Sequence, residues 1–368
     1  SLLEALQLEY MLIGIDANEA NLTPNLVGIN EYAFNLLHAI YELKTQHSFV
    51  IYLKTPPQKT FPPERWDWKY RVIPFPKFWT QTRLPWDLYT HQPRPDVFFS
   101  MTHYAPRFSP IPTVVAIMDV GFLQTPEQFT PADFNQLKSW TAYSVKNAAK
   151  IIAISEYTKQ DIIKNYHRDP QDIVVTLLGY NTKLFKPSHK PPKPYILFLS
   201  SLKPNKNVEG LIRAFSLLEP RTYNLIIAGK KAWHYDQIFT LVKQLGLEDR
   251  VKFTGFVDES TKVTLMQEAS AYVLASFHEG FGITVLEAMA CGTPVVISNV
   301  ASLPEVGGSA AIYVDPHDPK SIAQGIMGAI GPKRSQWVEK GLERVKLFSW
   351  AECARQTLKC LQTATVKH

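Results

Sequence analysis

The sequence predicts an α/β protein with two doubly wound, parallel-sheet domains. Short apolar runs typical of buried parallel strands alternate with helical periodicity along the chain. A chain of 368 residues exceeds the size at which one hydrophobic core keeps growing, so two domains are expected. Between residues 185 and 194, FKPSHKPPKP, proline and lysine replace apolar residues, which is typical of a linker.

Elements follow in a regular order on both sides of this linker. We therefore expect a first domain at residues 1–187, a second at 188–350 and a final helix within 351–368. The strands predicted for the first domain are 11–17, 49–53, 96–100, 113–118, 151–155 and 173–178. Those predicted for the second are 195–199, 224–228, 251–257, 271–275, 294–298 and 311–314. In the helix near residues 30–43, we expect Phe34, Leu37, Ile40 and Tyr41 on the inner face.

The composition argues against several classes of function. The net charge of +6 is not gathered in one tract, so nucleic acid is not an expected partner. No apolar run is long enough to span a bilayer and the chain begins with acids rather than a basic leader, so we expect a cytoplasmic protein. Peripheral contact with the inner face of the plasma membrane is left open. The three cysteines have no disulfide or metal spacing, and Cys353 and Cys360 are expected to pack as small hydrophobic side chains.

Residues 55–95 differ from the rest of the first domain. Prolines interrupt this segment, and its large aromatic side chains include Trp66, Trp68, Phe75, Phe78, Trp79, Trp86 and Tyr89. One interpretation is a rim that faces an acceptor or a membrane, because aromatic rings stack on sugars and lie at lipid interfaces. The other, which we favour, is a set of short strands and helices that pack on the sheet.

The chemistry of the chain is concentrated in residues 276–298, SFHEGFGITVLEAMACGTPVVIS. An apolar run precedes Gly280 and Gly282, a helix follows from Ile283, and a proline ends that helix before the next apolar run. This order predicts a right-handed βαβ unit of a parallel sheet. The peptide N–H groups of Gly282, Ile283 and Thr284 then lie at a helix start beside a strand end, where phosphate is favoured.

Two acids flank this turn. Glu279 precedes it and Glu287 lies a little over one turn into the helix, so both side chains can point into the same crevice. A carboxylate is a poor phosphate ligand but accepts hydrogen bonds from sugar or ribose hydroxyls, so the arrangement suits a sugar joined to a phosphate. The alternative is an ordinary αβ turn whose acids are solvated or cap the helix, since short glycine motifs often occur by chance.

The run EGFGITVLEAMACGTPVV, which begins at Glu279, resembles the E-x7-E signature of the retaining GT-B glycosyltransferases of family 4. The resemblance implies two Rossmann-like domains that face a central cleft, with a C-terminal helix that crosses back to the N-terminal domain. It also implies that Glu279 lies near the donor sugar and Glu287 on the ribose. The diphosphate would bind the backbone N–H groups of the turn that begins with Gly280, Phe281 and Gly282.

The first loop of the second domain resembles the phosphate-gripping loop of the same family. Lys206-Asn207 matches the family's Lys-Asn variant, so the resemblance implies that Lys206 binds the diphosphate. Many members have Arg five residues earlier, where this chain has Ser201. We expect Lys203 to supply the second charge, which would replace a bidentate fork by a point charge and weaken the phosphate grip.

Other positions follow from the resemblance. The residues expected to line the nucleotide are Gly229, Lys230, Gly255, Phe256 and Val257. Gly28, before the first helix, is expected near the leaving phosphate. Where the family has His-Asp at the end of a strand, this chain has Met118-Asp119. We expect Asp119 near the reacting carbon, and His103 at the end of the preceding strand as a candidate replacement for the missing His.

The resemblance implies a retaining hexosyltransferase of polysaccharide biosynthesis that uses GDP-mannose or a UDP-sugar and a glycan or lipid-linked acceptor. The Lys-Asn variant is similar to that of mannosyl- and rhamnosyl-type members, which favours GDP-mannose. No Asp-x-Asp pair follows a strand, so we expect neither a metal nor another cofactor. Two alternatives are left open. One is a degenerate nucleotide-binding GT-B protein without transfer activity, suggested by Met118 and Ser201, and the other is a sugar-nucleotide epimerase or phosphorylase.

Overall fold

The computed structural model describes residues 10–22, 28–219, 221–230 and 236–365. The chain forms two compact units. The N-terminal unit runs to Leu178 and also includes the chain from Trp350 onward, and the C-terminal unit is Gly179–Ser349. Within the described ranges, no helix combines the length and the apolar character needed to cross a bilayer.

The N-terminal unit has a parallel sheet whose seven described strands follow the order β3-β2-β1-β4-β5-β6-β7. Its elements up to Leu178 are β1 (Leu12–Asp16), α1 (Asn18–Asn21), α2 (Ile29–Glu42), β2 (Ser48–Leu53), β3 (Trp68–Val72), α3 (Leu84–Thr90), β4 (Val97–Ser100), β5 (Thr113–Ile117), α4 (Pro131–Asn147), β6 (Lys150–Ala153), α5 (Glu156–Tyr166) and β7 (Ile173–Val175). Every residue of β4 and β5 is buried, as expected for parallel strands covered on both faces.

The C-terminal unit has a second parallel sheet, and its six described strands follow the order β10-β9-β8-β11-β12-β13. Its elements are β8 (Tyr195–Leu199), α6 (Val208–Ser216), β9 (Asn224–Ala228), α7 (Asp236–Gln244), β10 (Val251–Gly255), α8 (Glu259–Glu268), β11 (Ala271–Leu274), α9 (Ile283–Ala290), β12 (Val295–Ser298), α10 (Leu303–Gly307), β13 (Ala311–Val314), α11 (Pro319–Ile330) and α12 (Arg334–Val345). Both doubly wound sheets, and each strand expected from an apolar run, are thereby confirmed.

The strand order reverses at one place in each sheet. In the N-terminal unit it reverses between β1 and β4, and in the C-terminal unit between β8 and β11. Loops that leave the carboxyl ends of two such strands run to opposite sides of the sheet, and the crevice between them is where doubly wound proteins bind ligands. The loops after β8 and β11 carry Lys206 and Glu279, whereas β1 and β4 end at Asp16 and Ser100. We call these two places the C-terminal and N-terminal switch points.

The last helix, α13 (Trp350–Ala364), belongs to the N-terminal unit. It packs on α2, β4, β5 and β6, which confirms the helix that crosses back to the first domain. Cys353 and Cys360 lie in its buried face, and burial raises the pKa of both thiols to about 12. They are free thiols that pack as apolar groups, as expected.

The same helix corrects the prediction for α2. Leu37 and Ile40 are buried as expected, but Phe34 and Tyr41 are only half-buried. Tyr32, Ala33 and Leu36 are fully buried instead. The reason is that α2 has a second neighbour besides the sheet. The Tyr32 ring lies 6.2 Å from the Trp350 ring at the start of α13, so that packing turns a different stripe of α2 inward.

Residues 55–95 agree only in part with the structural interpretation that we favoured. Strand β3 pairs with β2, and a π-helical turn at Trp79–Arg83 leads into α3. Trp68 and Trp79 are fully buried, and the Trp79 indole N–H donates to the carbonyl of Ile73 at 2.8 Å. The other five rings named in the sequence analysis are exposed, namely Trp66, Phe75, Phe78, Trp86 and Tyr89.

Candidate functional site

The turn into α9 has the geometry that its glycines predict. Gly282 caps the helix with φ near 97°, a left-handed conformation that side chains rarely adopt. A Cβ at Gly282 would lie 2.7 Å from the Leu303 Cδ2 atom, so space also favours glycine there. No side chain caps α9, and strands β11 and β12 on either side of it pair in parallel. The predicted βαβ unit is present, with a helix start open to an anion.

Lys206 and Glu279 meet at the C-terminal switch point. The Lys206 Nζ atom lies 2.7 Å from Glu279 Oε1, and the two side chains are only 14% and 11% exposed. The Ser276 hydroxyl donates to the same carboxylate oxygen at 2.8 Å, and the Ser302 hydroxyl donates to the Glu279 carbonyl at 2.9 Å. The loop after β8 and the turn before α9 therefore present one oriented cation beside one oriented acid.

Asn207 fixes the lysine-bearing loop. Its backbone is left-handed, its side-chain oxygen accepts from the Gly210 N–H, and its amide donates to the carbonyls of Ala275 at 2.9 Å and Pro316 at 2.7 Å. One buried side chain thus joins the ends of three strands. Sequence reasoning used this residue only as part of a motif, although Asn directly before a helix is a recognisable capping signal.

Glu287 is held apart from Glu279 by a different partner. Its carboxylate lies 2.6 Å from the Lys262 Nζ atom of α8, and the side chain is 1% exposed. The Lys262 side chain is 15% exposed. Each of the two acids of the motif therefore has its own lysine, and the sequence contained no signal for Lys262 because it lies on another helix.

The predicted nucleotide loops come together at the ends of β8, β9 and β10. The Gly229 N–H donates to the Gly255 carbonyl at 2.8 Å, and the Lys230 carbonyl accepts from the Leu202 N–H at 3.1 Å. Only glycine fits at position 229 without a shift of the backbone, because a Cβ on Gly229 would lie 1.8 Å from the Ser200 carbonyl oxygen. The Lys230 ammonium lies 4.8 Å from the centre of the Phe256 ring.

The other predicted positions of this unit lie in or beside the same loops. Val257 follows β10 and is half-buried, whereas Phe281 is buried against the Phe348 ring at 6.1 Å. Thr284 shares a 2.7 Å hydrogen bond with the buried Tyr272 hydroxyl. Lys203 is exposed and lines a cavity of about 510 Å³ with Phe277 and other residues beside α6. Within the described residues, Lys206 rather than Lys203 pairs with Glu279.

The N-terminal switch point brings His103 and Asp119 together. The His103 N–H donates to the Ala116 carbonyl at 2.9 Å, so His103 lies beside the end of β5. Burial lowers the pKa of His103, and the charge of Asp119 opposes that shift. The Asp119 carboxylate accepts from the Gly121 N–H at 2.9 Å. Met118 is 8% exposed. Gly28 caps α2 with φ near 54°.

Asp16 is a candidate that sequence reasoning missed. It ends β1 in register with Ser100 of β4, at the point where the strand order reverses. Its Oδ1 atom accepts from the Asn18 backbone N–H at 3.1 Å and from the Asn18 side-chain amide at 2.7 Å. Burial raises the pKa of Asp16 to about 6. An acid near the carboxyl end of the first predicted strand, residues 11–17, was the available signal.

Comparisons with known proteins identify the family and the fold of the chain. A model of the family "Glycosyl transferases group 1" matches residues 180–344. O-antigen chain mannosyltransferase B of Escherichia coli is 31% identical over 263 residues, which cover 67% of this chain and 68% of that protein. The serotype-specific mannosyltransferase WbdA of Escherichia coli is 28% identical over 236 residues. That match covers 62% of this chain but only 29% of WbdA, so the chain spans less than a third of that relative's length.

Solved structures share the fold over almost the whole chain. Sucrose-phosphate synthase from Thermosynechococcus elongatus has a TM-score of 0.75 and 19% identity, and the match covers 95% of this chain and 98% of that one. HepE from Anabaena, in complex with UDP and glucose, has a TM-score of 0.74 and 18% identity, with 96% and 100% covered. The shared fold and the mannosyltransferase relative together show that the chain belongs to the glycosyl transferases group 1 family and is a glycosyltransferase of the GT-B fold.

Proposed function

We propose that the protein transfers mannose from GDP-mannose to a glycan or lipid-linked glycan, with retention of configuration and without a metal ion. The name of the relative that is 31% identical, O-antigen chain mannosyltransferase B, supports both the sugar and a polysaccharide acceptor. A UDP-sugar is the alternative donor. HepE has been solved with UDP-glucose, but at 17% identity that likeness concerns the fold alone.

The single observation that carries the proposal is the Lys206–Glu279 pair beside the uncapped start of α9. A nucleotide diphosphate needs positive charge at both phosphates as the bond to the sugar breaks. The lysine and the helix amides supply that charge, and the adjacent carboxylate can accept hydrogen bonds from sugar hydroxyls. The absence of an Asp-x-Asp pair from the sequence supports charge neutralisation by these groups rather than by a metal.

We assign the reacting steps as follows. The departing phosphate oxygen takes the proton of the acceptor hydroxyl as that hydroxyl attacks the same face of the sugar, so the anomeric configuration is retained. Glu279 orients the donor sugar and Glu287 the ribose. Asp119 is the carboxylate that we assign to the reacting carbon on the acceptor side, with His103 in the place of the family's missing His.

Thermal-shift measurements with GDP and UDP, each with and without EDTA, test the donor and the metal. A ligand that binds the folded state raises the melting temperature as its concentration exceeds Kd. We expect GDP to raise it more than UDP, with EDTA without effect. Transfer from GDP-mannose followed by NMR of the product's anomeric proton tests retention. A larger shift with UDP, or an inverted product, would contradict the proposal.

A degenerate protein without transfer activity is the second candidate, because a buried Met118 stands where the family has His. The Met118→His variant separates the two functions. Turnover by wild-type protein comparable with that of the variant supports transfer with His103 in place of the missing group. Turnover by the variant alone would favour the degenerate protein.

A further inference from the structure

A row of aromatic rings leads outward from the N-terminal switch point. The His103 ring lies 6.3 Å from the Tyr104 ring, Tyr104 lies 5.2 Å from Trp140 of α4, and Trp140 lies 6.2 Å from Phe78. These distances are within the range over which neighbouring rings contact each other. His103, Tyr104 and Trp140 are half-buried, and Phe78 is 60% exposed. The rings thus run from the strand ends to the surface.

Two more exposed rings follow Phe78 in the chain, on α3, which the π-helical turn leads into. Trp86 is 67% exposed and Tyr89 is 52% exposed, and their spacing of three residues places them on one face of the helix. The Thr82 hydroxyl donates to the Phe78 carbonyl, which keeps Phe78 one turn before the helix. We call Tyr104, Trp140, Phe78, Trp86 and Tyr89 the aromatic row.

The opposite face of α3 is anchored. Leu84 and Leu88 are buried, and the Asp87 carboxylate is 3% exposed and bonded by the Arg71 guanidinium. The exposed rings of α3 therefore stand on a helix that the core holds in place. Rings in fixed positions lose little freedom when a partner binds to them, which favours recognition.

Few charges lie around the exposed rings. Residues 74–94 contain three cations, Lys77, Arg83 and Arg94, and one anion, Asp87. The Arg94 guanidinium donates to the Tyr89 carbonyl at 2.9 Å. Arg83 lies 3.3 Å from Asp87 in an ion pair. An anionic membrane attracts clusters of several Lys and Arg residues, which this segment lacks. A row of rings with little net charge suits an uncharged partner that offers C–H faces to the rings and hydroxyls to water, as a sugar chain does.

We propose that the aromatic row binds the acceptor glycan, several sugars away from the reacting end. The glycan would lie across Tyr89, Trp86 and Phe78 and reach the switch point past Trp140 and Tyr104. This inference rests on the proposed function for the identity of the acceptor, and it adds a second contact that favours longer acceptors over shorter ones. A polymer that is bound along its length stays near the site between additions.

The double variant Phe78→Ala/Trp86→Ala tests the proposal, with Trp66→Ala as the matched control. Trp66 is 77% exposed but lies next to the start of β3, outside the aromatic row. The probe is a length series of α-linked manno-oligosaccharides, whose binding is measured without donor by NMR line broadening. In wild-type protein we expect Kd to fall as the chain lengthens. The double variant should bind long chains about tenfold more weakly, as expected for loss of anchor residues, and the control should match wild type.

Transfer assays give a second readout. In the double variant, KM for long acceptors should rise about tenfold while kcat and the KM for a short acceptor stay unchanged. Equal KM values for short and long acceptors in wild type, or no oligosaccharide binding to wild type, would overturn the proposal. Loss of binding to phosphatidylglycerol vesicles in the double variant, with unchanged glycan binding, would overturn it in favour of a membrane contact. Retained glycan binding without transfer from GDP-mannose would count against the donor assignment alone.

Discussion

The two switch points have the same topology, but different groups contact their acidic side chains. At the C-terminal one, Glu279 and Glu287 each lie within 2.7 Å of a lysine ammonium. At the N-terminal one, Asp16 is bonded by the neutral amides of Asn18, and Asp119 by the Gly121 N–H. One doubly wound sheet therefore carries cations suited to a diphosphate. In the other, Asp16 and Asp119 accept hydrogen bonds from neutral amide groups, as carboxylates also do from sugar hydroxyls.

This difference shows that strand order chooses the place of a site but not its chemistry. In both units the reversal of strand order opens a crevice at the carboxyl ends. Which charges enter it depends on the loops and, in the case of Lys262, on a neighbouring helix. Substitutions in the two units separate these contributions.

Gly229→Ala should have the largest effect, on stability. Its Cβ would lie 1.8 Å from the Ser200 carbonyl oxygen, so the backbone of the nucleotide loops must move, at a cost of about 4–5 kcal/mol. The matched change in the other unit, Gly28→Ala, also places a side chain at positive φ but in open space, so we expect a loss of about 1–3 kcal/mol. Urea unfolding measures both. Equal losses of stability would show that the space around these two glycines does not decide the cost of an added Cβ.

Lys206→Ala should lower kcat/KM about 100- to 1000-fold, the usual cost of removing one preorganised group that stabilises a leaving anion. Lys203→Ala is the control, because Lys203 is exposed and we expect a loss below tenfold. Initial rates with GDP-mannose measure both. If the Lys206 variant kept wild-type turnover, the C-terminal switch point would have no role in the reaction.

Lys262→Met should destabilise the protein by about 2–3 kcal/mol, because it leaves the buried Glu287 carboxylate without its lysine. The double variant Lys262→Met/Glu287→Gln removes both charges and should recover most of that loss. Thermal unfolding of the single and double variants gives the coupling between the two side chains. Additive effects would mean that the pair contributes little beyond its separate residues.

Asp16→Asn should stabilise the protein by about 1–2 kcal/mol at pH 7.5 and have little effect near pH 4. Burial raises the Asp16 pKa from 3.8 to about 6, although the Lys54 charge opposes this shift and Glu19 adds to it. Because the folded state binds this proton more tightly than the unfolded state, the charged carboxylate costs stability as pH rises through 6. The measurement is the stability difference between variant and wild type across pH 4–8. A difference that does not change with pH would contradict the origin of the shift.

Much of the fold could be predicted because its signals are local. Apolar runs, glycine turns and helix caps each act within a few residues, and they placed the strands and the start of α9 correctly. The inner face of α2 was predicted correctly at Leu37 and Ile40 but not at Phe34 and Tyr41, because Tyr32 packs against Trp350, more than 300 residues later in the chain. The hydrophobic period identifies a helix, but a second packing partner decides which stripe is covered.

The doubly wound architecture and the glycine turn before α9 could be predicted from the sequence, because backbone conformation and hydrophobic period are properties of short segments. The charged residues near that turn could also be named from the sequence. Only the tertiary structure decided which charges meet. It brings Lys206 to Glu279, which is 73 positions away in the chain, and Lys262 to Glu287 from a separate helix. It also places Asp16 in register with Ser100 on the neighbouring strand. These pairings are set by strand order and helix packing, which depend on the whole chain at once.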